Sequence, residues 1–343
     1  MKKRAILWIV PVAVLVPILV FASVWVSRIN RHVNDYTYHP ALDTPGPGVD
    51  MQYDDVFGIA YLRWCNLLND AQCAVWHAPD GVSERALSVT TRDGAQIGGH
   101  ILEPVGTADE TLPTILYCHG GAFFLTMMPF QLDHAAAYAE ALHCRVLVPQ
   151  YRLAPDHPYP TPVNDCYDTL QAAILNGSAD VNHITILGDS AGGCLATEVT
   201  RMCLDEKLVT PVAQLLIYPV TDTDQTYASL TSYAYAPWPM EANRTMWKLY
   251  LNGYDPTDHD YAVPMLREDF NGFPPTYVEA AEIDILCDQD LAYADKMAAA
   301  GVDVTKVLVP GAYHGYDGNL QNTFVREQLN ARIEWLSTHG ATE

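Results

Sequence analysis

The sequence predicts an α/β fold built on a mostly parallel central sheet with helices on both faces. Two observations predict it. Strand-like apolar runs alternate with helix-like runs from residue 114 to residue 337, a pattern typical of a parallel sheet covered on both sides. In addition, GDSAG at 188–192 stands where a strand pattern ends and a helix pattern begins. The chain has 343 residues, 49% of them hydrophobic, which is enough for one large core.

The elements follow from the local patterns in chain order. Apolar residues at helical spacing predict a helix within 55–76. ALSVTT, a turn at RDG and AQIGGHILEP predict a β-hairpin over 86–104. The alternating part then predicts strands at 114–121, 145–151, 183–190, 213–220, 276–282 and 304–311, and helices at 131–142, 162–176, 192–204, 290–301 and 323–337.

The alternation stops in a segment rich in Tyr, Trp, Pro and Thr, from residue 221 to about residue 264. Inserts of this kind usually lie over the carboxyl edge of the sheet. We therefore expect a main domain over 51–343, with a cap to which about 51–80 and 221–264 contribute. The Pro- and Gly-rich stretch before it predicts a linker over 28–50.

The N-terminus has a different composition. Residues 5–26 carry no charge and match the length needed to cross a bilayer. We expect a membrane anchor or signal segment over 1–27, and the basic residues at 2–4 favour a catalytic domain outside the cytoplasm. VFA at 20–22 loosely fits a processing site, so secretion after cleavage is the alternative.

Charge and motifs narrow the class of partner. The formal net charge of -22 would repel nucleic acid or an anionic surface, and the chain has no basic patch beyond its first residues to offset that repulsion.

The sequence contains no HExxH, no paired CxxC and no phosphate- or dinucleotide-binding glycine motif, so we expect no cofactor and no metal. The spacing of the eight cysteines favours buried free thiols. A homo-oligomer is left open.

GDSAG is a GxSxG motif formed by Gly188, Ser190 and Gly192. A strand that turns sharply into a helix holds its serine clear of neighbouring groups, and glycines let the backbones approach closely at that turn. Ligands of an open parallel sheet bind outside the carboxyl ends of its strands, which is where this turn falls. Ser190 is therefore the candidate nucleophile.

A serine needs a base and a group that orients the base. His314 follows the last predicted strand, whereas His259 lies in the polar insert and His339 in the tail, so His314 is the candidate base. The acid is expected just past the preceding strand. Asp284 is the candidate there, and Glu282, Asp288 and Asp290 are the alternatives.

The tetrahedral intermediate of acyl transfer needs hydrogen-bond donors for its oxyanion. YCHGGAFF leaves a strand through small residues, which makes the amides of Gly120, Gly121 and Ala122 candidates. The amide of Ala191, after the nucleophile, is a further candidate. His119 is interpreted as structural.

The sequence resembles the hormone-sensitive-lipase-like, or α/β-hydrolase fold-3, carboxylesterases. The matching stretches, which all fall within residues 114–318, are HGGAF, YRLAPDHPYP, GDSAGG, AAEIDILCDQD and GAYHGY. The resemblance implies an α/β-hydrolase fold with a helical cap, a triad of Ser190, Asp284 and His314, and a structural loop from Tyr151 beneath the site. The family often has a third glycine where this chain has Ala122, whose methyl group is expected to narrow the nearby space.

These observations predict a serine hydrolase that cleaves small-molecule carboxylic esters through an acyl-enzyme intermediate. The resemblance implies short to medium acyl chains. An amidase or deacetylase with the same triad, and a membrane-tethered binding protein without turnover, are the alternatives.

Overall fold

The computed structural model describes residues 32–45, 55–257 and 260–340. One eight-stranded sheet forms the centre, in the order β1-β2-β4-β3-β5-β6-β7-β8. Its strands are β1 (Val82–Thr90), β2 (Gln96–Pro104), β3 (Leu112–Cys118), β4 (Arg145–Pro149), β5 (Ala179–Asp189), β6 (Ala213–Ile217), β7 (Thr276–Ile283) and β8 (Val304–Tyr313). The helices are α1 (Val56–Cys73), α2 (Pro129–Ala141), α3 (Thr161–Leu175), α4 (Ala191–Asp205), α5 (Ala228–Ser232), α6 (Met240–Leu251), α7 (Cys287–Ala299) and α8 (Thr323–Thr338).

The sheet is parallel from β4 to β8, and the β1–β2 hairpin is attached to β4 in antiparallel orientation. The predicted fold class is confirmed. Because the parallel strands point the same way, the turns after β3, β5, β7 and β8 all open at one edge of the sheet. That edge is where ligands bind in open α/β sheets.

Two clusters of buried apolar side chains lie on the two faces of the sheet. Alternate residues of β3 fall in different clusters, with Leu116 in one and Ile115 and Tyr117 in the other. This follows from the pleat, which points successive side chains of a strand to opposite faces. Helices α3 and α4 supply the first cluster and α2 and α8 supply the second, so the sheet is covered on both sides.

A buried charged network lies among β7, α8 and the turn after β8. Arg332 donates to Glu279 over 2.9 Å from Nε and to Asp317 over 2.7 Å from Nη1. All three side chains are essentially inaccessible. Tyr316 and Tyr218 donate their hydroxyls to Glu279 and Asp317. Buried ions are tolerated when they meet opposite charges and hydrogen-bond donors, and here both carboxylates contact the guanidinium and each also accepts a tyrosine hydroxyl.

Part of the predicted linker packs against the domain. Residues 32–45 lie against the turn region at the end of β8, where His39 donates its amide to the carbonyl of Gly311 over 2.8 Å. Asn322 donates to the carbonyl of Ala41 over 2.7 Å. The sequence did not predict this contact, because backbone groups make many of its hydrogen bonds and any residue type can supply them.

The predicted N-terminal anchor or signal segment, at 1–27, lies outside the described residues. Within the described ranges, no helix is both long enough and apolar enough to cross a membrane. The cysteines are free thiols, as predicted. Seven of them are buried and Cys65 is half-buried.

Candidate active site

Ser190 occupies the sharp turn between β5 and α4. Its backbone has φ +54° and ψ −123°, a strained region for a residue with a side chain. A Cβ on Gly188 would lie 2.1 Å from the carbonyl oxygen of Gly192, and a Cβ on Gly192 would lie 1.9 Å from that of Cys118. Both positions therefore need glycine for a close backbone approach.

The structure brings together the three residues of the predicted triad. Ser190 Oγ lies 2.8 Å from His314 Nε2, and His314 Nδ1 lies 2.6 Å from Asp284 Oδ2. The other oxygen of Asp284 accepts the amide of Leu286 over 3.1 Å. Asp284 is fully buried, and this geometry holds the imidazole in line between a hydroxyl and a carboxylate.

The alternative acids have other surroundings. Glu282 accepts the amide of Gly311 over 2.7 Å, and Asp288 accepts the amide of Ser229 over 2.8 Å. Asp290 is buried, and neither oxygen has a hydrogen-bond partner among the described residues. Burial raises the pKa of Asp290 well above its ordinary range, and the nearby charge of Asp284 raises it further.

Two described histidines, His339 and His119, have other surroundings. His339 stacks on Trp335 at the end of α8, and His259 lies outside the described residues. His119 is buried beneath the site, stacked 4.3 Å from Tyr151. Burial lowers the pKa of His119 to about 4, so the ring is neutral at physiological pH.

The predicted oxyanion donors divide into two groups. The amide of Gly120 donates to Asp189 Oδ1 over 2.9 Å, so the prediction for Gly120 is wrong: its single N–H is already committed. The amides of Gly121, Ala122 and Ala191 have no acceptor within the part of the chain that the structure describes. Gly121 and Ala122 line the same cavity as Ser190 and His314.

Asp189 connects the nucleophile turn to the oxyanion segment, which we define as residues 120–128. Besides the amide of Gly120, it accepts Gln131 Nε2 over 2.9 Å. Gln131 in turn accepts the amide of Met128 over 2.9 Å. Burial raises the pKa of Asp189 to about 6, and the charge of Asp317 raises it too. The sequence reasoning missed this residue, although its place beside Ser190 was a signal.

Helix α1 holds the oxyanion segment from the other side. Asn66 Nδ2 donates to the carbonyl of Phe124 over 2.9 Å, and Asn66 Oδ1 accepts the amide of Thr126 over 3.0 Å. Asn69 Nδ2 donates to the carbonyl of Thr126 over 3.1 Å. The sequence predicted the helix but not these contacts, because they join residues that are more than fifty positions apart.

Two cavities flank the oxyanion segment. The cavity at Ser190 measures about 130 Å³. Its lining includes Gly121, Ala122, Leu125, Met128, Phe130, Tyr218 and Trp238. A larger cavity of about 520 Å³ lies between α1 and residues 150–157, and no triad residue lines it. The chemistry is therefore assigned to the smaller cavity. Trp238 comes from the predicted cap segment.

A sheet of this topology, with a serine turn after β5, an acid after β7 and a histidine after β8, is the arrangement of the α/β hydrolases. The model of the family described as alpha/beta hydrolase fold matches residues 115–317. The chain belongs to this family, and the resemblance drawn from the motifs is confirmed.

Known proteins with similar sequences carry esterase names. Carboxylesterase NlhH of Mycobacterium tuberculosis is 34% identical over 216 residues, which are 60% of this chain and 67% of that protein. Ethyl acetate hydrolase of Pseudomonas putida is 30% identical over 246 residues, 69% of this chain and 76% of that protein. Among solved structures, esterase LipW of Mycobacterium marinum aligns with a TM-score of 0.77 at 27% identity, covering 92% of this chain and 96% of that one.

The raised pKa of Asp189 predicts a pH-dependent stability that Asp189→Asn removes. Between pH 4 and 6 the native carboxyl keeps a proton that the unfolded chain releases, so the free energy of unfolding falls as pH rises through this window, by up to about 3 kcal/mol. Urea unfolding of both proteins from pH 4 to pH 8 measures this. The stability of the wild type relative to the variant should fall with pH. Parallel pH profiles would contradict the assignment.

The contacts of Asn66 predict that Asn66→Ala slows turnover. Loss of both hydrogen bonds frees the oxyanion segment, and we expect about tenfold lower kcat and about 1–2 kcal/mol lower stability. Gln72→Ala, exposed on the same helix, is the matched control and should change neither. Steady-state hydrolysis of p-nitrophenyl acetate and urea unfolding measure both effects, and an unchanged kcat in Asn66→Ala would refute this role of the helix.

Proposed function

We propose that this protein hydrolyses carboxylic esters through an acyl-enzyme intermediate formed on Ser190. The observation that carries the proposal is the continuous chain of contacts from Ser190 to His314 to Asp284. The esterase names of the relatives support the same reaction class.

In the proposed first step, Ser190 Oγ attacks the ester carbonyl while His314 Nε2 takes the hydroxyl proton. Asp284 stabilises the resulting imidazolium through Nδ1. The amides of Gly121, Ala122 and Ala191 stabilise the oxyanion, and His314 returns the proton to the departing alcohol. A water molecule, deprotonated by His314, then attacks the acyl-enzyme and releases the carboxylic acid and the free serine.

We infer that the acyl group is short to medium in length. The cavity at Ser190, at about 130 Å³, is well below the 300–1,000 Å³ typical of ligand pockets. Leu125, Met128 and Phe130 contribute apolar side chains to its lining. Such a lining accepts a small alkyl group and offers little room for a long one.

We also propose that residues 5–26 hold the protein at a membrane, with the catalytic domain outside the cytoplasm. The support is the uncharged run of 22 residues behind Lys2, Lys3 and Arg4. An ester that partitions into lipid would then be concentrated near the enzyme.

Ser190→Ala is expected to lower kcat for p-nitrophenyl butyrate by about 10⁴-fold or more, because the covalent route is lost. The variant should also fail to react with a fluorophosphonate probe. Ser88→Ala, at an exposed position of β1, is the control and should keep both activities. Wild-type turnover in Ser190→Ala would exclude the proposed nucleophile.

Met128→Ala is expected to shift the acyl preference toward longer chains. Removing this side chain enlarges the cavity at Ser190, and each methylene it then accommodates contributes about 0.8 kcal/mol. The kcat/KM ratio of p-nitrophenyl hexanoate to butyrate should rise by about tenfold. Leu153→Ala, which enlarges the 520 Å³ cavity instead, is the matched control. A shift in the control alone would assign the acyl group to the larger cavity.

A further inference from the structure

Helix α1 exposes a stripe of apolar side chains to solvent, which an ordinary surface helix would bury. The exposed fractions of Val56, Trp64 and Leu67 are 82%, 54% and 60%. At 100° per residue, the exposed apolar residues of the helix fall within an arc of about 120°. We call this set the α1 outer face; it consists of Val56, Phe57, Ala60, Trp64, Leu67, Leu68 and Ala71.

The inner side of α1 explains why the helix does not rotate to bury that face. Asn66 and Asn69 point inward and hydrogen-bond to the oxyanion segment. Gly58, Leu62 and Cys73 are buried on the same side. Turning the helix would break these hydrogen bonds and leave buried backbone groups unsatisfied. The outer face is therefore fixed as an exposed apolar stripe, which marks an interaction surface.

The uncharged segment near the start of the described domain favours a lipid bilayer as the partner that covers the α1 outer face. Only residues 27–31 separate the uncharged segment 5–26 from His32, where the described residues begin, and six extended residue steps span at most about 22 Å. His32 lies against Tyr235 of the predicted cap segment, with ring centroids 4.9 Å apart. The proposed membrane segment is thus tied closely to the described domain, and Trp64 in the stripe is a residue type enriched at membrane interfaces.

The charge of the protein favours zwitterionic over anionic lipid headgroups. The α1 sequence contains only Arg63 and Asp70 as charged side chains, which cancel, and the whole chain carries a formal net charge of -22. Anionic headgroups would repel such a domain, whereas zwitterionic headgroups would not.

We propose that the α1 outer face docks in the interface of a zwitterionic bilayer, with the helix parallel to the membrane plane. The inference rests on the proposed membrane segment at 5–26. Since an α-helix is about 10–12 Å across with its side chains, docking places the oxyanion segment about one helix diameter from the lipid. Esters dissolved in that lipid would then be concentrated close to the domain that carries Ser190.

Tryptophan quenching in the full-length chain tests this. The protein is reconstituted in phosphatidylcholine nanodiscs, with or without brominated acyl chains, as wild type and as Trp64→Phe. The emission lost on mutation is that of Trp64, and we expect it to be quenched by the brominated lipid. Trp76→Phe is the matched control: Trp76 follows the same helix but donates to Asp133, and its emission should not be quenched.

Trp8→Phe with Trp25→Phe reports the membrane segment separately. Quenching of Trp8 and Trp25 without quenching of Trp64 would overturn the docking while leaving the anchor. No quenching of any of the three would overturn both.

Leu67→Glu tests the face without removing a tryptophan. It should abolish the quenching of Trp64, whereas Leu175→Glu, also exposed but on α3, should not. If Leu67→Glu instead dissociated a dimer of the detergent-solubilised chain in sedimentation, and Trp64 remained unquenched, the covering surface would be a second copy and the proposal would be wrong.

Discussion

Gly192, the second residue of α4, presses its backbone against the end of β3, where a Cβ would lie 1.9 Å from the carbonyl oxygen of Cys118. This contact sets how closely the nucleophile turn approaches the oxyanion segment that follows β3. If α4 stood one methyl group further away, Ser190 and the amides of Gly121 and Ala122 would no longer face one cavity. The strained backbone of Ser190 persists because the surrounding contacts hold it in place.

The candidate base, His314, is held in place by a separate set of contacts in the turn after β8. His314 sits in the turn after β8, three residues before Asp317, and Asp317 is fixed by the buried guanidinium of Arg332. Tyr218 donates its hydroxyl to Asp317, and its ring lies 4.8 Å from that of His314. The charged network thus anchors both the chain that carries the base and an aromatic wall beside it. Such a buried network favours one arrangement of the loop because any other leaves charges unpaired.

The fold class and the positions of most elements could be predicted from the sequence. Strands and helices alternate along the chain, and the spacing of their apolar residues differs between the two. The sequence also predicted Ser190, Asp284 and His314 at the ends of three strands, where the structure brings the three side chains together. The prediction of Gly120 as an oxyanion donor was wrong for a reason that no local pattern shows. Asp189 accepts the amide of Gly120, and the pairing of β3 with β5 brings the two residues together. The contacts of Asn66 with the oxyanion segment are equally non-local. A polar residue in a helix is expected from the sequence to face solvent, whereas Asn66 and Asn69 face the oxyanion segment.

The inward position of Asn66 and Asn69 has a physical cause in the oxyanion segment. Ala122 and Phe123 both have left-handed backbones, with φ of +55° and +61°, and each such residue costs about 1–3 kcal/mol. Asp189 and Gln131 constrain the segment from the sheet side, and Asn66 and Asn69 constrain it from α1. Hydrogen bonds worth about 0.5–1.5 kcal/mol each are together of the size needed to offset that strain. Because Asn66 and Asn69 must face the oxyanion segment, the opposite side of α1 faces outward, and that side carries the apolar stripe.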